Sequence, residues 1–443
     1  MNITDLIHQK KNGKALGEEE IAFFVRGYTD GTIPDYQASA LLMAIWFAGM
    51  TAEETFALTA AMKNSGDTLD LSGFERTIDK HSTGGIGDKL SLIVLPLWRA
   101  GGLNIAKMSG RGLGFTGGTI DKLESVPGYD TSLDQRSFFE HLCRYGIVVA
   151  GQSASLVPAD KKLYALRDVT ETVDSLPLIA ASVMSKKLAT AAENIVLDVK
   201  YGESSFMKTK EDARKLAELM VKLGESDGRR VAALLSPMSR PLGRAVGNAV
   251  EVKEAYRFLR GEGEGELKEN ALALAAAGFV LAGLAADVAA GRGLCETLIQ
   301  SGAAADAFFL WLKSQGGRFD ESDFEKALAY PAEEHVVSAD KDGVVRDIHG
   351  IEIGLAGMEL GAGRKKLGDA IDPAAGVLLR KTVGETVRAG EPLAVLRGAG
   401  DVETAIARVR RAFVLGETAA EPETAAIEVF NGKKWEIMQN DND

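Results

Sequence analysis

The chain has 443 residues, with 51 Lys and Arg against 63 Asp and Glu, so 51 − 63 leaves a formal net charge of −12. At about 150 residues per domain that length points to about three domains, and 46% apolar with 26% charged residues exclude global disorder. The acidic balance argues against a general nucleic-acid or anionic-membrane binder, while leaving room for a local basic pocket that takes a small anion.

Residues 1–65 carry apolar positions at helical spacing over 18–28, 36–47 and 51–62, and no strand pattern. Thr51 with Glu54 is a capping box: each side chain takes the other's backbone N–H. After Leu71 the pattern changes. Strands at 77–79, 103–107 and 147–150 alternate with helices at 88–100, 119–124 and 132–145, which predicts a parallel sheet. Helices return over 159–169 and 176–192, then strands at 195–200 and 231–235 flank a helix at 211–223, and helices follow over 243–314. The uncharged run 271–286 has 16 residues, too few for the ~20 that span a bilayer, and reads as a buried core helix. From about His335 short strands and turns take over. Residues 340–343 are a hairpin signal, 375–380 and 392–396 read as strands, and 401–413 is a closing helix. The tail after Gln439 reads as disordered. Cys143 and Cys295 make no disulfide framework and read as buried thiols in a reducing compartment. The first 20 residues lack the apolar stretch of a secretory signal, so a soluble cytoplasmic protein is expected.

These elements predict a mixed α and β protein: a discontinuous all-helical lobe (1–66 and 156–192), an α/β lobe with a largely parallel sheet (67–155 and 193–331), and a small α+β C-terminal lobe (332–443). Ligands bind preferentially in a cleft between such lobes.

Two glycine-rich segments join strand to helix. The first is Lys80-His81-Ser82-Thr83-Gly84-Gly85-Ile86-Gly87-Asp88, and the second runs from Lys107 through Ser109, Arg111 and Phe115 to Thr119. Helix N-termini present free N–H groups to anions, and Gly lets the backbone approach them. For the first segment the alternative is a tight βα turn with a helix cap. Residues 112–117 fit Gly-x-Gly-x-x-Gly, a weak signal away from the first strand of a dinucleotide fold, and neither segment fits a P-loop. If both loops converge on one phosphate, Lys80, Ser82, Ser91, Lys107, Ser109 and Thr119 are its donors. A third cluster pairs Tyr164 with Arg167 and Ser182 with Lys186 at helical spacing, suited either to a polar planar ring or to a solvated face.

Residues 80–88, 106–125, 158–170 and 177–187 together resemble the pyrimidine/thymidine nucleoside phosphorylases, the type II nucleoside phosphorylases. The resemblance extends over nearly the whole chain. It implies a homodimer of two-lobed subunits that needs no organic cofactor and splits pyrimidine nucleosides with inorganic phosphate, giving free base and (deoxy)ribose 1-phosphate. Uridine, thymidine and deoxyuridine are the implied substrates. It assigns phosphate to Lys80, Ser82, Ser91, Lys107, Ser109 and Thr119. The base falls to Tyr164, Arg167, Ser182 and Lys186, with Leu113 and Phe206 shaping the pocket and His81, Arg167 and Lys186 in catalysis. Phe115 stands where many members carry His, and Glu203 interrupts a segment usually rich in Gly and Ala. Several members bind potassium through positions matching Gly87, Leu242, Ala245 and Glu254 and through a Thr that is Lys89 here. Either the Lys89 ammonium takes the cation's place and pairs with Glu254, or it turns to solvent. Two other readings compete: an anthranilate phosphoribosyltransferase-like enzyme, and a catalytically weak nucleoside-binding paralogue.

Overall fold

The computed structural model describes every residue except Leu113, Thr116, Ala154, Leu367, 419–426 and 439–443, so the expectations for Leu113 and for the tail lie outside the described residues. Four helices open the chain: α1 (Ile3–Lys11), α2 (Glu18–Asp30), α3 (Asp35–Ala48) and α4 (Ala52–Lys63). The Thr51–Glu54 box forms, with Glu54 N donating to Thr51 Oγ1 at 3.2 Å and Thr51 N to Glu54 Oε2 at 2.8 Å. Glu54 also accepts from buried Lys10 at 2.7 Å and from Leu16 N at 2.8 Å, which compensates the burial of both charges.

Strand β1 (Thr77–Ser82), α5 (Leu90–Ala100), β2 (Asn104–Ser109), α6 (Thr119–Glu124), α7 (Gln135–Tyr145) and β3 (Ile147–Gly151) follow. The chain then re-enters the helical lobe through α8 (Pro158–Val169) and α9 (Leu176–Ala189). Leu156, Leu163, Leu178 and Ala181 join Phe24, Leu41 and Leu58 in one apolar cluster, so the lobe is assembled from both ends of this detour.

β4 (Asn194–Tyr201), α10 (Lys210–Ser226) and β5 (Arg230–Pro237) complete the parallel core, and a short β6 (Ala245–Gly247) leads into α11 (Ala249–Arg257), α12 (Gly265–Leu281), α13 (Val288–Gln300) and α14 (Ala303–Ser314). The uncharged run is the buried helix α12, and no helix among the described residues is long and apolar enough to cross a membrane. Trp98 of α5 donates to Ala275 O at 2.9 Å, and a Cβ at Gly278 would sit 2.3 Å from its indole, so glycine sets how closely the two helices approach.

A short α15 (Phe324–Ala327) packs Phe324 into the same core as Phe308 and Trp311 of α14, and the C-terminal lobe then holds β7 (Glu334–Ser338), β8 (Gly343–Ile348), α16 (Gly350–Glu359), β9 (Gly376–Leu379), β10 (Thr386–Val387), β11 (Pro392–Arg397), α17 (Val402–Ala412) and β12 (Phe413–Gly416), before β13 (Ile427–Phe430) and β14 (Trp435–Met438). Three of the sequence expectations change here. The turn at 340–343 makes no hairpin: β7 pairs with β11, while β8 pairs with β10 and β12. Each strand's apolar alternation suits any partner, and distant partners win. β13 and β14, expected in the C-terminal lobe, instead extend the central sheet, whose order is β14-β13-β5-β4-β1-β2-β3. Cys143 is exposed while Cys295 is buried, because α7 turns Phe138 and Leu142 to the core and the next position faces out. In the other direction β6 crosses over and pairs with β9, tying the α/β lobe to the C-terminal lobe.

Candidate active site

β1 and β2 are parallel neighbours, with Ile78 opposite Ile105, so the segments that follow them leave the same edge of the sheet. In open α/β sheets that carboxyl edge is where ligands bind. The first loop is tied at its mouth by Asp88, which accepts from Ser82 Oγ at 2.5 Å and from Leu90 N at 3.1 Å. Ser91 lies in the first turn of α5, 7% exposed. The second loop is clamped from the C-terminal lobe: Arg364 bonds Asp121 at 2.8 Å and Gly112 O at 3.1 Å, and its carbonyl accepts from Gly114 N at 3.0 Å. A Cβ at Gly118 would fall 2.1 Å from Gly112 N, so this loop closes on itself only with glycine there. Ser109 and Thr119 stand at its two ends, both partly accessible.

Beneath the loops lies a set of buried charges. Successive residues of a strand face opposite sides. On one side Lys80 Nζ sits 3.2 Å from Asp198 Oδ2 and 3.9 Å from Asp88, with no hydrogen-bond partner, while Lys200 meets Asp198 at 2.8 Å. On the other side Asp79 lies 2.8 Å from Lys187 and 3.6 Å from Lys107. Burial pushes the Asp88 carboxyl up, but Lys80, Lys200 and Lys122 outweigh it and hold the group well below its usual range. Lys107 is pulled down to about 7 by burial and by Lys187, against the opposing pull of Asp79. Its ammonium is directed at Lys80 O, so the structure places Lys80 and Lys107 on adjacent strands and gives them different partners.

The helical wall is more open. Tyr164 is 39% exposed, and Ser182 and Lys186 lie one turn apart on α9 with Lys186 Nζ 3.2 Å from Ser182 Oγ. Lys186 also pairs with buried Asp160, whose other oxygen has no partner. Arg167 takes a different part from its neighbours: its guanidinium donates to Thr172 O at 3.1 Å, Leu178 O at 3.1 Å and Val173 O at 2.7 Å, bracing the connection between α8 and α9. Burial lowers its pKa to about 10 and leaves it cationic.

The two walls meet at α9, where Lys187 reaches Met108 O at 3.2 Å. His81 lies between them. Burial first, then Lys187, Lys107, Lys186 and Lys80, hold its imidazole well below the usual range, so it is neutral at neutral pH and has an N–H to offer. Phe206 is half exposed in the turn after β4, and Phe115 is exposed at the second loop. Glu203 faces solvent, 3.9 Å from His349.

Lys89 is fully buried and bonds Leu242 O at 2.6 Å, Ala245 O at 3.0 Å and Glu254 at 2.7 Å. Three of the four positions matched to a cation site thus converge on its ammonium. Motif reading missed Asp79, Asp160, Lys187, Asp198 and Lys200. Their signal was present as charges inside otherwise apolar strand and helix runs, where a buried charge needs a partner.

Residues 75–305 match the glycosyl transferase family a/b domain, 4–66 its helical bundle domain, and 344–415 the pyrimidine nucleoside phosphorylase C-terminal domain. The fold and the paired loops thereby define a glycosyl transferase built from a helical bundle and an α/β domain. Similar curated proteins are the pyrimidine-nucleoside phosphorylase of Bacillus subtilis (strain 168), 51% identical over 92% of this chain and 95% of that protein, and that of Geobacillus stearothermophilus, 49% identical over 89% and 92%. The chain belongs to the pyrimidine-nucleoside phosphorylase family. The crystal structure of anthranilate phosphoribosyltransferase from Thermus thermophilus shares the fold, with a TM-score of 0.58 at 21% identity over 70% of this chain and 99% of that one.

Proposed function

We propose that the protein catalyses reversible phosphorolysis of pyrimidine nucleosides, with uridine, thymidine and deoxyuridine as substrates. The observation that carries this is that two anion-type loops leave adjacent parallel strand ends, with His81 at the start of the first loop and close to Lys186 of α9. Ser82, Ser91, Ser109 and Thr119 hold phosphate above the charged floor, and Lys80, ion-paired with Asp198 but with no hydrogen-bond partner, supplies an ammonium that still has protons to donate. A phosphate oxygen bonds to C1′ as the bond from C1′ to the base nitrogen breaks, and the base leaves with that electron pair. Lys186 and the neutral N–H of His81 stabilise the charge developing on its carbonyls, and Tyr164 and Ser182 orient the ring. Phe206 shapes the pocket, and Arg167 acts through the loop it braces as a positioning residue. Lys107 holds the first loop by its backbone and adds charge from below. A nucleoside panel with phosphate, followed by free-base release, tests this reading. Release supported by phosphate is expected; turnover only with phosphoribosyl diphosphate, or binding without turnover, overturns it.

The residues at the matched cation site do not suit potassium, because the Lys89 ammonium already takes two carbonyls and the carboxylate. Activity is therefore expected to stay within about twofold when potassium is exchanged for sodium, while strong activation by potassium would refute the replacement. A second copy of the chain is the expected partner, covering Tyr36 and Phe47 of α3 and Val169 of α8, which stand 74%, 77% and 78% exposed. Sedimentation at a dimer mass, shifted to monomer by Phe47→Glu, is the expected result. A cytoplasmic location belongs to the same reading.

A further inference from the structure

A cavity of about 620 Å³ lies where α11 and α12 face the C-terminal lobe, and its lining includes none of the residues assigned above to phosphate or base. Val250, Phe258 and Leu328 give it an apolar floor, each 8% exposed or less. Lys253, Arg257 and Arg397 also line it. The two arginines have carboxylate partners, Glu325 at 2.5 Å for Arg257 and Glu334 for Arg397. Lys253 has no hydrogen bond or ion pair to any described residue. Burial and then Arg397 disfavour its charged form, Glu325 opposes them and Arg257 adds to them, so of these three basic side chains Lys253 is the one left without a carboxylate partner among the described residues.

A half-buried ammonium flanked by guanidinium groups over an apolar floor matches an organic anion with one charge and a flat apolar body. Glu262 and Glu264 line the same cavity and would repel a more highly charged head such as a phosphate monoester. We propose that this cavity is a second small-molecule site, which takes an aromatic or otherwise apolar monocarboxylate on Lys253. The site adjoins the catalytic one. Glu254, the next residue along α11, lines the cavity and holds Lys89, and Lys89 follows Asp88 of the first loop. Occupancy therefore bears on phosphate use.

Ligand-observed NMR with benzoate, benzamide and phenyl phosphate, run on the full chain in excess inorganic phosphate, tests the site. Benzoate is expected to bind at least about tenfold more tightly than the other two, and Lys253→Gln to remove that preference. Val250→Trp, which fills the floor, should abolish benzoate binding in a protein whose melting curve stays cooperative. Equal binding of benzoate and benzamide, tighter binding of phenyl phosphate, or unchanged binding by Lys253→Gln overturns the proposal. The coupling rests on the phosphorolysis reading: saturating benzoate should change the apparent KM for phosphate at least about twofold in the parent and not in Lys253→Gln. An unchanged KM with benzoate bound removes the coupling, whereas absence of turnover counts against the phosphorolysis reading and leaves the binding result standing.

Discussion

The strand-end wall of the cleft carries Asp79, Lys80, Lys107, Asp198 and Lys200 at 3% exposure or less, whereas the helical wall offers Tyr164 at 39% and Lys186 with 24% of its side chain exposed. On the first wall, charges are fixed by opposite charges on neighbouring strands before any ligand arrives. On the second, a lysine leans on one carboxylate and a serine and stays partly exposed. A pre-set floor suits a small symmetric anion that is the same in every turnover. The more exposed wall suits a base whose charge appears only as the bond breaks.

Four substitutions test that contrast. Asp79→Ala should cost the most, because it leaves Lys107 and Lys187 buried without their shared carboxylate; a loss of about 3–5 kcal/mol in denaturant unfolding is expected. A loss under about 1 kcal/mol would mean that the floor is not held by charge pairing. Lys186→Ala removes charge from the open wall and should lower kcat by about 10²–10³-fold with the KM for phosphate nearly unchanged. Parallel losses in both parameters would contradict the division of labour. Ser109→Ala should act the other way, raising the KM for phosphate about tenfold with a smaller change in kcat. A further test concerns pH. Folded Lys107 releases its proton near pH 7, while the unfolded chain keeps it to about 10.4. Over that window the unfolded state binds more protons, so this group's contribution to stability rises with pH and is least favourable below about pH 7. Comparing melts at pH 6.5 and 8.5 (roughly the lower half of that window), the parent should gain more stability on going up in pH than Lys107→Met; identical pH dependence would place the Lys107 pKa elsewhere.

Much of this molecule is written locally. Helical spacing, the Thr51–Glu54 box and the strand–glycine–helix segments gave the element types, the parallel sheet and both loops, because each depends on residues a few positions apart. Local pattern also supplied Ser182 and Lys186 as partners one turn apart. What it could not supply was the identity of distant partners. The separation of β7 from β8, the return of β13 to the central sheet, and the bracing role of Arg167 are all settled by which surface a side chain or strand edge finds after folding. The same holds for the buried charges: a sequence records that Asp79 and Lys187 exist, and only the packing of α9 on the sheet brings them to 2.8 Å. The case of Lys89 joins both levels. Its presence opposite Glu254 was legible and left two orientations open. Burial decided between them, since an ammonium enclosed by Leu242, Ala245 and Glu254 must bond to them in place of water.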